Sequence, residues 1–564
     1  MHYKKINQFF VLWLMALVLI SCKATENQQL KSKKPNFIIM MVDDMGFSDP
    51  TCYGGDVETP NFDRLAEEGL RFTRFYNCSR CSPTRASLLT GKYPHKVGLW
   101  RNGRSLSEDS PTVAEVLKAA GYQTGMVGKW HLSKSKKLNN NNEDHQKWLD
   151  HQVETQESFG PVPSYPVNRG FEKHFGVIWG VIDYFDPFSL VRGTEPVTEV
   201  EEDFYITDAI TDEAIQYINE FKERDNPFFL YIAHTAPHWP LHAKPEDMEK
   251  YKGKFDAGWE KMRDRRHAKQ LALGLFDAQN CPLPANMGGD WDALSEAEKA
   301  FQAAKMEAHA GMVDCVDQGL GRILESLDKS GELENTFILF LSDNGASPET
   351  PAAPGYDRSS MTRAGDLMLY EKAYLTQKAD IQSVGSELSY LGIGRAWANA
   401  ASTPYRFWKK ESFEGGNNAP CIIRYPARFN NLKGDIIDQP MHVMDIVPTV
   451  LALADVPYPE SFNQKELLPL DGKNIIDAVN ENRPTHDTLF FEHEGGRAVQ
   501  TADWKLVSKA TGHKHKNKHL EWELYNISKD RTEMFNVATE YPEIVRALAR
   551  QWEIWWEEMQ PMLI

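Results

Sequence analysis

Two carboxylates stand side by side at Asp43-Asp44, and an Asp343-Asn344 pair stands far downstream. All four side chains offer hard oxygen donors, which suit Ca²⁺ or Mg²⁺ better than zinc or copper. The chain has no calcium loop of the Asp-x-Asp-x-Asp-Gly type, so only the fold can gather these ligands. Alone, Asp43-Asp44 reads as a solvated turn; the residues that accompany it change that reading. Lys129 and His131 lie two apart in Gly128-Lys129-Trp130-His131. Extended backbone would turn both to one side and Trp130 to the other. His238 sits in Ala236-Pro237-His238-Trp239-Pro240, with His234 just upstream reading as structural. Cys81 opens the run Cys81-Ser82-Pro83-Thr84-Arg85-Ala86-Ser87-Leu88-Leu89-Thr90-Gly91. A helix beginning at Cys81 would place Arg85 one turn on, on the same face.

These residues need a scaffold that brings distant segments together. Phe37 to Val42 is a continuous apolar run ending in Asp43-Asp44, the pattern of a buried parallel strand. Gln123 to Val127 leads into Gly128-Lys129, Phe228 to Ala233 into His234, and Thr336 to Leu341 into Ser342-Asp343. Polar residues thus recur at the C-terminal ends of apolar strands, the edge where open α/β sheets hold ligands. Phe301 to Leu327 reads as an amphipathic helix with Met306, Met312, Val313, Val316, Leu320 and Ile323 on one side. Residues 133–156 read as a polar surface loop near the cleft, with a polyasparagine run at 139–142. Residues 351–398 read as a long wrap with little regular structure. After a helix at 443–454, strand patterns at 488–492, 498–500, 504–507 and 523–525 precede a helix at 541–559.

The run from Cys81 to Gly91 closely resembles the signature of type I sulfatases, and the chain is similar to that family from Pro35 to about Pro542. Arg169-Gly170-Phe171, Asp183-Tyr184-Phe185, Ala310-Gly311-Met312-Val313-Asp314, Asp445-Ile446-Val447-Pro448-Thr449 and Asp530-Arg531-Thr532-Glu533 extend the likeness, toward the bacterial arylsulfatase branch. The resemblance implies an α/β fold of alkaline-phosphatase-like type, with a large mixed central sheet flanked by helices and a smaller C-terminal α+β domain. It implies that a maturation enzyme oxidises Cys81 to formylglycine. It places one Ca²⁺, or less readily Mg²⁺, on Asp43, Asp44, Asp343 and Asn344. Arg85 would anchor the formylglycine hydroxyl. Lys129 and His131 would bind sulfate, and His238 would contact the leaving oxygen. Lys409, five positions before Glu414-Gly415-Gly416, would complete the basic clamp. Two departures stand out: Thr84 where many members carry serine, and Gly495-Gly496 where the branch has Gly-Asn. Phosphatases and phosphodiesterases of the same superfamily instead use Ser or Thr with two zinc ions. A binding protein that had lost catalysis would tolerate loss of Lys129, His131 or Lys409, and all are present.

The formal net charge is -17, which argues against a nucleic-acid binder yet leaves room for one local basic pocket. Lys4 and Lys5 precede an apolar stretch from Phe9 to Ile20, too short for an ordinary membrane-spanning helix. Leu19-Ile20-Ser21-Cys22 looks like a bacterial lipobox, which implies a signal peptide over 1–21, lipid on Cys22, and a bacterial cell envelope location. Residues 22–34 read as a tether, 35–455 as the catalytic domain and 456–564 as the C-terminal subdomain. Of seven cysteines, lipidation of Cys22 and conversion of Cys81 leave five, so they cannot all pair within the chain. Cys78-Ser79-Arg80-Cys81 has redox-motif spacing but lacks the small βαβ context of a thioredoxin-like site. The expected reaction is hydrolysis of sulfate esters. The expected substrate is a sulfated carbohydrate such as an ulvan oligosaccharide, with small aryl sulfates as the alternative. His493 and Arg497, four apart between two strand patterns, are expected to flank an anionic sugar.

Overall fold

The computed structural model describes residues 33–138, 142–149, 157–352, 361–510 and 521–563. The expected signal peptide and Cys22 lie outside these residues. Of the expected tether, Lys33 pairs with Glu332 at 2.8 Å, on the body of the protein. Among the described residues no helix is long and apolar enough to cross a membrane.

A ten-stranded mixed sheet organises the chain, with β1 (Asn36–Val42) near its centre. Cys81–Thr90 forms α1, Gln123–Gly128 forms β2 and Phe228–Ala233 forms β3. Glu296–Lys329 forms α2 and Thr336–Ser342 forms β4. β1 runs parallel to β3 on one side and to β4 on the other, and β3 runs parallel to β2. Cys421–Arg424 runs antiparallel to β4, which makes the sheet mixed. Alternation explains the unbroken apolar run of β1. Ile38, Met40 and Val42 enter one core, while Phe37, Ile39 and Met41 enter the core on the opposite face. The first core is closed by Ile206–Phe221 and by α2, whose predicted apolar stripe is wholly buried. The second is closed by α1, Val113–Ala119 and Ile446–Ala454. Parallel strands end on one edge, so β1, β2, β3 and β4 deliver their following residues to one place.

Part of the polar insertion departs from the expected loop. Asn142–Leu149 is helical, and its Trp148 is buried, stacked on Phe159 and edge-on to Phe188. An apolar anchor at the end of a polar segment is enough to dock it. Asn139 to Asn141, most of the polyasparagine run, lie outside the described residues. The long wrap holds short pieces, Glu371–Leu375 and Gly394–Ala401, the latter anchored by Trp397 in the core.

The C-terminal part is a four-stranded antiparallel meander: β5 (Leu489–His493), β6 (Gly496–Gln500), β7 (Trp504–Ser508) and β8 (Glu523–Asn526). Helix α3 (Pro542–Met559) lays Leu548, Trp552, Trp555 and Met559 onto it. Tyr76, Phe407 and Phe413, from the larger part, share this core. Beneath it, Lys505 is sealed between Glu414 at 2.7 Å and Glu533 at 3.1 Å, all three side chains fully buried.

Candidate active site

Cys81 is the first residue of α1, and every residue of that helix is buried. Thr84 Oγ1 accepts a hydrogen bond from the Cys78 amide at 3.0 Å, which folds the preceding loop against the helix. Gly91 ends the helix in the left-handed region (φ 69°), its amide bonded to the Ser87 carbonyl. The helix start directs its positive dipole end at position 81, where an anion would be favoured.

Opposite this helix start, the strand ends converge. Asp43 and Asp44 follow β1, and Asp343 and Asn344 follow β4. The Asp44 amide donates to Asp343 Oδ1 at 3.2 Å, and Asn344 Nδ2 donates to Asp44 Oδ1 at 2.6 Å, locking the two pairs together. Asp43, Asp343 and Cys81 place one ligand atom each within 4.8 Å of one another, as do Asp43, Asp44 and His238. Each carboxylate meets a cation. Lys129 Nζ contacts Asp43, and Lys409 Nζ lies 2.6 Å from Asp44. Arg85 grips Asp343 Oδ2 through Nη2 at 2.7 Å and Nε at 3.1 Å, while its Nη1 donates to the Lys129 carbonyl at 3.0 Å. His238 Nε2 lies 3.4 Å from Asp44. Lys129, Arg85 and Lys409 therefore balance three carboxylates before any metal or substrate arrives.

The donor set fits a hard divalent cation. Asp43 Oδ1 and Asn344 Oδ1 are buried and accept no hydrogen bond. Orphaned oxygens in such a place are costly unless a cation takes their lone pairs. The electrostatics show the same need. Burial raises the Asp43 carboxyl, but Lys129, His238, Arg85 and Lys409 outweigh it and hold it well below the usual range. Asp343 is pushed up to about 7, by burial and then by the charge of Asp43, against the pull of Arg85. Burial, with Lys409 adding to it, draws His238 down to about 4 despite Asp44. Burial and then Lys129 and Arg85 hold His131 well below its ordinary value. Both imidazoles are thus neutral near pH 7.

His131 does not reach the site by strand alternation. β2 ends at Gly128, and His131 takes a left-handed backbone (φ 55°). Its ring lies against Gly180, where a Cβ would sit 2.2 Å from His131 Cε1, so this neighbour has to lack a side chain. His131, His238 and Cys81 line one open cleft of about 260 Å³. Arg80, Asn102, Trp179, Trp239 and Glu349 line it too, and none of these was singled out in the sequence. Asn102 Nδ2 lies 3.6 Å from Cys81 Sγ, and its Oδ1 accepts from Ser82 Oγ at 2.7 Å. No periodic or motif signal marks Asn102; only the fold brings it there.

His493 and Arg497 are not among the residues lining this cleft. His493 is 2% exposed and faces a small separate cavity with Cys78, Tyr93, His95 and His442. Arg497 lies over Trp522, 3.9 Å from the ring centre, and near Trp552 at 5.2 Å. Cross-strand register puts the two on opposite faces of the meander: Arg497, opposite Glu492, faces α3, while His493, opposite Gly496, shares the face of Phe491, which packs on Tyr76 and His442. His234 is buried directly after β3, neither ring nitrogen is hydrogen-bonded, and it is not among the residues lining the cleft.

Residues 35–456, most of the chain, match the family described as Sulfatase. The chain belongs to the sulfatase family. Residues 405–555 also match the C-terminal region described for N-sulphoglucosamine sulphohydrolase. An uncharacterised sulfatase of Schizosaccharomyces pombe is 33% identical, covering 94% of each chain. An arylsulfatase of Klebsiella aerogenes is 29% identical over 79% of this chain and 92% of its own. The crystal structure of Ps i-CgsB in complex with k-i-k-neocarrahexaose superposes with a TM-score of 0.62 at 24% identity, covering 93% of both chains, and shares the fold. This sulfatase is accordingly a sulfuric ester hydrolase. The family uses a formylglycine and a divalent metal, and the acidic cluster beside Cys81 could hold such an ion.

Proposed function

We propose that this sulfatase removes sulfate from carbohydrate esters, using position 81 as the nucleophile and Asp43, Asp44, Asp343 and Asn344 as ligands of one Ca²⁺. The observation that carries the reading is the pair of orphaned oxygens, Asp43 Oδ1 and Asn344 Oδ1, beside Cys81 within a ring of three cations. When bound, the calcium ion would supply Lewis-acid charge to a sulfate oxygen. Formylglycine at position 81, once made, supplies a hydrated aldehyde with a second hydroxyl, which an ordinary cysteine lacks.

The chain's own residues do the rest. Lys129 and Lys409 hold positive charge where sulfate oxygens would gather, in a site closed enough to strengthen it. Arg85 fixes Asp343 and the Lys129 carbonyl, and so sets the distance between α1 and the ends of β2 and β4. His238 gives its Nδ1–H to the Trp239 carbonyl, so in the neutral ring Nε2, 3.4 Å from Asp44, is an acceptor, and it serves a departing ester oxygen as a donor only once it has taken up a proton. His131, also neutral, is available as a base on the cleft side of position 81.

Three observations support a sugar as the alcohol. The cleft has indole walls, Trp179 and Trp239, with a few polar groups between them, the usual make-up of a small-molecule site. A relative from Bacteroides thetaiotaomicron, 27% identical, is named N-acetylglucosamine-6-O-sulfatase. Another from Formosa agariphila, 24% identical, is named ulvan-active sulfatase. An ulvan-type fragment is the substrate we favour, and lipid attachment at Cys22 would hold the enzyme in a bacterial envelope. The test is direct. A peptide spanning position 81 from active enzyme should show loss of H₂S and gain of oxygen relative to cysteine. Chelator-treated enzyme should lose sulfate release and regain it with Ca²⁺. Full turnover with an unmodified thiol, or with two bound zinc ions and no calcium, would overturn the proposal. Sulfate release from desalted algal oligosaccharides, set against an aryl sulfate, decides the alcohol.

A further inference from the structure

Glu349 is a carboxylate lining a cleft whose other charged residues are cationic or can become so. It lies on the segment that continues from Asp343-Asn344-Gly345 and joins the cleft wall beside Cys81, His131 and His238. Its Oε1 accepts from Lys410 Nζ at 2.6 Å and from Arg80 Nη1 at 3.2 Å. Its Oε2 accepts from Trp239 Nε1 at 2.9 Å, and Lys409 Nζ stands 3.9 Å away. The side chain keeps 22% exposure, so the carboxylate is gripped from behind and open in front. Burial raises its carboxyl, but Arg80, Lys409 and Lys410 outweigh that and keep it ionised at any ordinary pH.

A carboxylate has about four lone-pair positions. Three are used by the firm contacts above. The fourth, on Oε2, takes a long hydrogen bond from Ser347 Oγ at 3.4 Å with Lys409 Nζ standing off at 3.9 Å, a weak contact that a substrate hydroxyl can displace. Such an acceptor is unsuited to the sulfate, which it would repel; the three cations around it offset that repulsion. What it suits is a neutral donor on the alcohol half of the substrate. Trp239, held by the same carboxylate, supplies a flat face beside it.

We infer that Glu349 reads the alcohol, accepting a hydrogen bond from a hydroxyl near the sulfate ester and so selecting polyhydroxylated alcohols over bare ones. This rests on the sulfatase reaction proposed above, though not on any one sugar. A buried polar site rejects a ligand lacking its hydroxyl far better than an apolar site rejects an extra one. A hydrogen bond to a charged acceptor corresponds to about tenfold or more in relative rate.

The probes are phenyl sulfate and its ortho-, meta- and para-hydroxyphenyl counterparts, whose sulfate-bearing oxygens leave with similar ease. The measured quantity is the ratio of kcat/KM, hydroxylated over bare, so losses common to all esters cancel. With enzyme carrying formylglycine at position 81, at least one isomer should exceed phenyl sulfate by about tenfold. In Glu349→Ala that ratio should fall to about one, and in Glu349→Gln, which keeps a neutral acceptor and the shape, to an intermediate value. A ratio near one for every isomer in the wild type, or a ratio unchanged in both variants, would overturn the inference. Failure of the converted wild-type enzyme to release sulfate from any ester would instead overturn the reaction on which it rests.

Discussion

Replacing Arg85 with lysine keeps the charge and removes the fork. The guanidinium makes two bonds to Asp343 Oδ2 and one to the Lys129 carbonyl, at 2.7, 3.1 and 3.0 Å, with no exposure of the side chain. One ammonium, a point charge without the planar fork, can keep a single contact with Asp343 and leaves the Lys129 carbonyl without a donor. Two charge-assisted bonds are lost, at about 1.5–3 kcal/mol each, or roughly 3–6 kcal/mol in all. Some of this falls on folding and some on the reaction. If most of it falls on the transition state, kcat/KM for an aryl sulfate drops by about 10²–10⁴. The assay is sulfate release at saturating Ca²⁺, normalised to the fraction of enzyme carrying formylglycine, with thermal melting in parallel. A variant that melts earlier but keeps more than about a third of kcat/KM per converted molecule would assign Arg85 to stability and refute the reasoning.

Lys505→Met leaves Glu414 and Glu533 buried without their shared cation, and the urea midpoint should show a loss of about 3–5 kcal/mol, partly regained by adding Glu533→Gln; an unchanged midpoint counts against the buried triad. Stability should also fall in mild acid. Burial draws His174 and His234 down to about 4, and His442 to about 3. The unfolded chain binds protons on these residues near their ordinary value while the folded chain does not. Their contribution is therefore complete above about pH 6.5 and is lost as pH falls from there toward 4. The melting temperature should drop between pH 7 and 5, less steeply in His174→Leu, and a slope identical in both proteins would exclude His174 as a source. Finally, His493→Ala and Arg497→Ala should lower the melting temperature while leaving the ratio of kcat/KM on sugar and aryl sulfates unchanged; a selective loss on sugars would restore them to recognition.

The strand ends were legible because parallel strands buried on both faces leave an unmistakable run of apolar residues. Asp43, Lys129, His238 and Asp343 are found where those runs end. Arg85 was legible for a related reason, since helical spacing from Cys81 sets its place. His131 was placed correctly by motif and wrongly by geometry. A left-handed residue leaves no trace in composition, and the glycine that admits its ring lies far away at Gly180. Asn102 and Glu349 were invisible, because each occupies a loop whose path depends on contacts with other segments. His493 and Arg497 show the converse: polar types near a strand turn look functional until the packing on both faces is placed, α3 over Arg497 and the larger part against His493.

Position 81 is 1% exposed, at the floor of a cleft beside two ligand pairs that interlock through Asp44 and Asn344, 300 positions apart. Contacts so distant along the chain form slowly and late. If Cys81 is converted as we propose, a maturation enzyme would reach it more readily before Asp343 and Asn344 dock than after, and the yield of active protein would then depend on the order of two events along the chain as well as on the stability of the folded product.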